Sequence, residues 1–157
     1  MKILLLSYFF EPDLGAGSFR SSALYKKLKD LGHEVEVITT LPNRYGSFVG
    51  KVNNELNIDS SSIFRIDTKN DNSKFFGQIR SYVKFFFGAL KIAKKTDYDI
   101  VYASSSKLFT AFLGAIISKR SKSLLYLDIR DIFLESLRDI FNPFISFFLL
   151  PILSLIE

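Results

Sequence analysis

Lys2-Ile3-Leu4-Leu5-Leu6-Ser7, followed by the loop Tyr8-Phe9-Phe10-Glu11-Pro12-Asp13-Leu14-Gly15-Ala16-Gly17, opens the chain and decides its fold. An unbroken apolar run of this length reads as a strand buried on both faces, the pattern of a parallel sheet. Behind the loop, Phe19, Ala23, Leu24, Leu28 and Leu31 recur at helical spacing while Arg20, Lys26, Lys27 and Lys29 fall mostly elsewhere. The spacing predicts a helix that Ser18 caps and Gly32 ends.

Working outward, Val35–Thr39 is a second strand, and a long polar stretch from Thr40 to Ser62 precedes a short third strand at Ile63–Ile66. A structureless stretch that long inside one domain is a functional candidate in itself. A Phe-rich helical pattern covers Lys74 to Lys95, Asp99–Ala103 is strand four, Leu108–Ser118 is an almost wholly apolar helix and Leu124–Ile129 is strand five. Residues Asp131–Glu157 read as helical with a break at Asn142-Pro143. Strands alternating with helices imply right-handed parallel crossovers, so the expected fold is α/β, a Rossmann-like parallel sheet with helices on both faces.

The 157 residues, 48% apolar with four Pro and eight Gly, suit one globular domain spanning residues 1–157. With no cysteine and a single His33, disulfides, thiolate nucleophiles and Cys- or His-rich metal sites are excluded. The N-terminal apolar run is too short for a signal-peptide core, and a cytoplasmic location is expected. The net charge of +5 includes local clusters at Lys91, Lys94, Lys95 and at Lys119, Arg120, Lys122. These suit an anionic lipid or a phosphorylated ligand, or are simply solvated helix ends. They form no stripe with stacking aromatics, so no nucleic-acid partner is expected.

Ligands of open parallel sheets sit beyond the carboxyl ends of the strands, which singles out Ser7–Gly17, Ser104–Lys107 and Asp128–Glu135. Gly15-Ala16-Gly17 before a helix suits an anion, with Arg20 in the first helical turn to reinforce it. A dinucleotide fingerprint is not met, because seven residues separate the strand from the glycines and Arg20 holds the third glycine position. Asp128 closes strand five and is expected to pair with Arg130 or a neighbouring lysine. Asp131 either accepts a proton from an attacking hydroxyl or caps the next helix, and Glu135 lies in the early turns of that helix. Ser104-Ser105-Ser106 ends strand four, and serine hydrolase chemistry is not expected, because His33 sits at the opposite edge of the sheet.

Three segments in order, residues 2–45, 97–119 and 124–137, resemble the N-terminal, acceptor-side domain of family-4 GT-B glycosyltransferases. The segment LLYLDIRDIFLESL is similar to the subgroup that builds bacterial lipid-linked polysaccharide, such as N-acetylfucosamine transferases, although Phe133-Leu134 replace that subgroup's usual Trp-Pro. The resemblance implies transfer of a sugar from a nucleotide-sugar donor to a saccharide or lipid-linked acceptor, with no cofactor and no metal. It assigns Asp131 as the catalytic candidate and Gly15, Ala16 and Gly17 to the substrate; Arg20, Ser105, Ser106, Asp128 and Glu135, placed at the same edge by the reading of the strand ends, are the further substrate-binding candidates. Members continue into a second, donor-binding domain, so this chain alone is expected to transfer no sugar. A non-catalytic docking module of a split enzyme and half of a sugar-nucleotide epimerase remain alternatives. A membrane surface is a further possible partner, and the uncharged run Phe144–Ile156 is either interfacial or an interdomain surface.

Overall fold

The computed structural model describes residues 1–42, 62–68, 76–104 and 108–129. In chain order its elements are β1 (Lys2–Leu6), α1 (Ala16–Asp30), β2 (Glu34–Thr40), β3 (Ile63–Ile66), α2 (Phe76–Ala93), β4 (Ile100–Ser104), α3 (Leu108–Ser121) and β5 (Leu124–Asp128). The strands form one parallel sheet in the order β3-β2-β1-β4-β5. The α/β expectation therefore holds, with each strand within about a residue of where the pattern put it. Most of the Thr40–Ser62 stretch and all of Asp131–Glu157 lie outside the described residues.

The apolar runs explain the layering. Along β1 the side chains alternate between faces, and both faces are covered. Leu4 and Leu6 join Ile38, Val101 and Ala103 under α2 and α3, whereas Ile3 and Leu5 join Val35 and Val37 under α1. Leu4, Leu5 and Leu6 are fully buried, and each contributes about 2 kcal/mol of hydrophobic stabilisation. β5 is as apolar in sequence but stands at the sheet edge, and Leu124 and Tyr126 are exposed.

Helix α1 differs from its expectation in two ways. Its first intrahelical bond runs from the Phe19 N–H to the Gly15 carbonyl at 3.0 Å, so the helix begins at Ala16 and Ser18 lies inside the first turn instead of capping it. Its buried face is Ser18, Ser21, Ser22 and Tyr25, with Leu24 and Leu28 at the shoulder, while Phe19, Ala23 and Leu31 are exposed. The cause is hydrogen bonding: the Ser7 and Ser21 hydroxyls meet at 2.9 Å, and the Glu11 N–H donates to Ser22 Oγ at 3.3 Å. Small hydroxyl side chains thus seat the helix close to the strand ends. Gly32 does end the helix: at φ +80° its N–H reaches the Lys29 carbonyl, and the His33 N–H reaches that of Leu28. This paired closure needs the left-handed residue that glycine supplies without strain.

Candidate functional site

The chain order reverses between β1 and β4. From β1 the chain moves to β2 and β3 on one side, and it returns through α2 to β4 on the other. In open α/β sheets ligands bind in the crevice beyond the carboxyl ends of the strands at such a switch point, which makes this edge the candidate site.

Register places one row of polar residues along this edge. On the face that α1 covers, Arg65 pairs with Thr39, and Ser104 pairs with Asp128. Continuing the β1 register past Leu6 sets Ser7 between Thr39 and Ser104. Arg65, Thr39, Ser7, Ser104 and Asp128 therefore cross all five strands, ending layers that are otherwise apolar. Helix α1 is tied to the centre of the row and to one of its ends. Ser21 bonds Ser7, and Arg20 Nη2 stands 3.1 Å from the Asp128 Oδ1.

The ion pair is lopsided: Asp128 is buried to 8% exposure while the Arg20 side chain is 63% exposed. Asp128 thus pairs with Arg20 from α1 in addition to its other contacts, a partner that the sequence reading did not name; the expected partner Arg130 lies outside the described residues. The reason is topological, since a parallel sheet brings the end of β5 under the first turn of a helix 108 positions earlier.

At the other end of the row the Arg65 guanidinium donates to the Glu11 carbonyl at 2.7 Å. Burial pulls the Arg65 guanidinium below its ordinary value, and the charges of Asp13 and Glu11 hold it partly up. Four buried polar atoms along this edge, Ser18 Oγ, Ser104 Oγ, Arg65 Nη1 and Glu11 Oε1, find no hydrogen-bond partner among the described residues. Buried polar groups are normally satisfied, so this concentration makes the edge the candidate site among the described residues.

Ser18 and Ser104, each 1% exposed, carry the most weight. Ser18 lies in the first turn of α1, which has no side-chain cap and no acid, and Ser104 ends β4 on the sheet face that α1 covers. The first amides of a helix have no intrahelical partner and lie at the positive end of its dipole. The crevice thus offers amide and hydroxyl donors at its centre, with Arg20 and Asp128 at one flank and Arg65 and Glu11 at the other. Just below Ser104 and Asp128 on the same face, Tyr102 and Tyr126 stack at 5.1 Å with their planes 10° apart.

Of the sequence-derived site residues, the structure brings Gly15, Ala16, Gly17, Arg20 and Asp128 to this one crevice. Ser105, Ser106, Asp131 and Glu135 lie outside the described residues. Sequence reasoning included Ser7 in the segment Ser7–Gly17 but missed Arg65 and Thr39 as members of the row. Marking the residue of matching parity at each strand end would have found them. Among the described residues no group of His, Asp and Glu is arranged to hold a metal ion, and no helix is long and apolar enough to cross a membrane.

Neither a protein-family model nor a curated protein matches the chain. Among solved structures it is similar to two crystal structures of the C-terminal domain of a hydrogenase from Pyrococcus furiosus. One has a TM-score of 0.53 at 12% identity, covering 82% of this chain and 90% of that one. The other has a TM-score of 0.56 at 11% identity, covering 80% and 89%. At such identity the likeness is one of fold, the α/β sheet described above.

Proposed function

We propose that the chain is the acceptor-side half of a glycosyltransferase and that its switch-point crevice receives a phosphate-bearing saccharide. The observation that carries this reading is the pair of buried hydroxyls, Ser18 and Ser104, beside the uncapped N-terminus of α1. Amides at a helix terminus favour a phosphate, and hydroxyl and carboxylate groups along the row exchange hydrogen bonds with a polyol. The Tyr102–Tyr126 stack adds an apolar shelf with polar tips, suited to the face of a pyranose. Together with the order of the three family-like segments, these features favour sugar chemistry over dinucleotide binding. On this reading a nucleotide-sugar donor is held by a second domain, and Asp131 remains the candidate base.

The test is ligand protection against thermal unfolding, read for a lipid-linked saccharide, a free nucleotide sugar and NAD, because a ligand stabilises the state it binds. The saccharide is expected to raise the melting temperature and NAD to leave it unchanged. Ser104→Ala distinguishes a ligand-binding hydroxyl from a structural one. Removing an unsatisfied buried hydroxyl leaves the unliganded protein as stable or up to about 1 kcal/mol more stable, while protection by the saccharide is lost. A Ser104→Ala protein that is less stable yet equally protected would refute the assignment, and protection by NAD alone would replace it with a nucleotide-binding one.

A further inference from the structure

Helices α2 and α3 lie side by side on the sheet face opposite α1, and their outer surface has a composition unlike the rest of the protein. Residues 76–95 and 108–122 hold eight Lys and Arg and no Asp or Glu. Large apolar side chains are exposed on both helices: Ile79, Val83 and Phe87 at 44%, 48% and 65%, and Phe109 and Phe112 at 61% and 54%. These are not scattered. Ile79, Val83 and Phe87 recur every four residues on α2, and Phe109 and Phe112 share a turn of α3.

Ring contacts join the two stripes, with Phe86 against Phe87 at 5.7 Å and against Phe112 at 6.2 Å, and Tyr82 against Phe109 at 6.1 Å. Toward the carboxyl ends of the helices come Lys91 on α2, Lys94 and Lys95 in the turn just after it, and Lys119 and Arg120 on α3. Asp97 shares a hollow with Lys94 and Arg120, while Lys91, Lys95 and Lys119 are exposed.

We propose that this aromatic and basic face docks on an anionic lipid surface, the rings entering the headgroup boundary while the cations meet the lipid charge. Contiguous exposed aromatics with cations beside them and no acid are the composition of interfacial helices. Charge selects this occupant over a second copy of the chain: an isologous pairing would set eight cations against eight. A nucleic acid fits less well, because the rings stack on one another in one half of the face instead of interleaving with the cations. The surface lies on the sheet face opposite α1 and stands whether or not the crevice handles a sugar.

Vesicle flotation of the full chain tests it, with neutral phosphatidylcholine compared with the same lipid carrying an anionic phosphatidylglycerol fraction. Binding to the anionic vesicles and its loss at high salt are expected. Lys91→Gln, Lys95→Gln and Lys119→Gln together should weaken it about a hundredfold, roughly fivefold per cation. Phe87→Glu with Phe112→Glu should weaken it at least about tenfold, with the circular dichroism spectrum and melting temperature unchanged because both sites are exposed. Unchanged binding in both sets of variants overturns the proposal, as does no binding to anionic vesicles. Loss with Phe147→Glu and Phe148→Glu but retention in the helix variants overturns it too, because the uncharged run Phe144–Ile156 would then be the anchor. A dimer in light scattering that Phe87→Glu dissolves, in a protein indifferent to vesicles, would assign the face to a second copy instead.

Discussion

Replacing Gly114 of α3 by alanine should destabilise the protein, although the same change in an open helix stabilises it. Alanine is favoured over glycine in a helix interior by about 1 kcal/mol. At Gly114, however, the added Cβ would stand 2.6 Å from the Cβ of Ala103 on β4, with Leu125 Cδ1 at 3.4 Å and Leu6 Cδ1 at 3.8 Å. Carbon atoms in contact sit roughly 3.5–4 Å apart, so helix and strand must separate by about 1 Å.

The Ala103 methyl cannot rotate away, because its position is set by the backbone of a strand paired on both sides. Overpacking costs about 1–3 kcal/mol. Separating α3 from the sheet also loosens Leu113 and Ile117, which places the cost at the upper end. After the helix-propensity gain, the net loss is about 1–2 kcal/mol, or a fall of roughly 3–6 °C in melting temperature at this chain length. Gly88 of α2 is the control. Its added Cβ meets Ile66, with Cδ1 at 3.0 Å, Cγ2 at 3.1 Å and Cγ1 at 3.4 Å, which a shift of a few tenths of an ångström in an edge strand relieves, so Gly88→Ala should be near neutral. Urea and thermal denaturation followed by circular dichroism measure both. Pairing Gly114→Ala with Ala103→Gly should recover at least about 1 kcal/mol relative to the sum of the single changes. A Gly114→Ala protein as stable as the parent, or no coupling in the double variant, would refute the close-approach argument.

Three further outcomes follow from named contacts. Burial, reinforced by Tyr82, raises the Tyr8 hydroxyl to about 12. Its folded value lies above the unfolded one, so its contribution is intact below pH ~10 and is lost, by a few kcal/mol in order of magnitude, as the pH rises to about 12; denaturation curves at increasing alkaline pH should therefore fall less steeply for Tyr8→Phe, and parallel profiles would contradict this. Arg20→Gln should destabilise by about 1 kcal/mol and more than Asp128→Asn does, because it leaves a buried carboxylate short of charge compensation, while exposure of Arg20 keeps the effect below that of a fully buried pair; the reverse order in chemical denaturation would count against the pair. Lys122 ends α3 at φ +53°, so Lys122→Gly should stabilise by about 0.5–1 kcal/mol in the same assay, and any loss of stability would show that its side chain compensates the strain.

The sheet was legible because buried parallel strands write themselves as apolar runs, and β1 and β2 are covered on both faces as those runs imply. The same signal misleads at β5. Its sequence is as apolar as that of β1, yet Leu124 and Ile129 are about 70% exposed, because hydropathy records composition and not rank in the sheet. Helix α1 fails in the opposite direction. A search for apolar spacing weights Phe19 and Leu31, but the helix turns its serines inward, since Ser7 and the Glu11 amide supply the hydrogen bonds that make burying hydroxyls tolerable. No local pattern contains that information, because the partners lie in other segments.

The candidate site divides along the same line. That Gly15–Gly17, Ser104 and Asp128 would gather at one edge follows from strand direction alone, and the structure bears it out for these residues. Who pairs with whom does not follow: the Arg20–Asp128 bond spans most of the domain. The row from Arg65 to Asp128 has one cause. At the carboxyl edge the described residues cover the α1 face with α1's serine-lined N-terminal turns, so each strand ends there in a group that can exchange hydrogen bonds. Satisfying every group internally would have closed the crevice. Ser18 and Ser104 stay open in the centre while Arg20 closes on Asp128 at the flank. On the reading proposed above, a ligand that carries both negative charge and hydroxyls suits such an arrangement, since a purely apolar one would leave Ser18 and Ser104 unpaired.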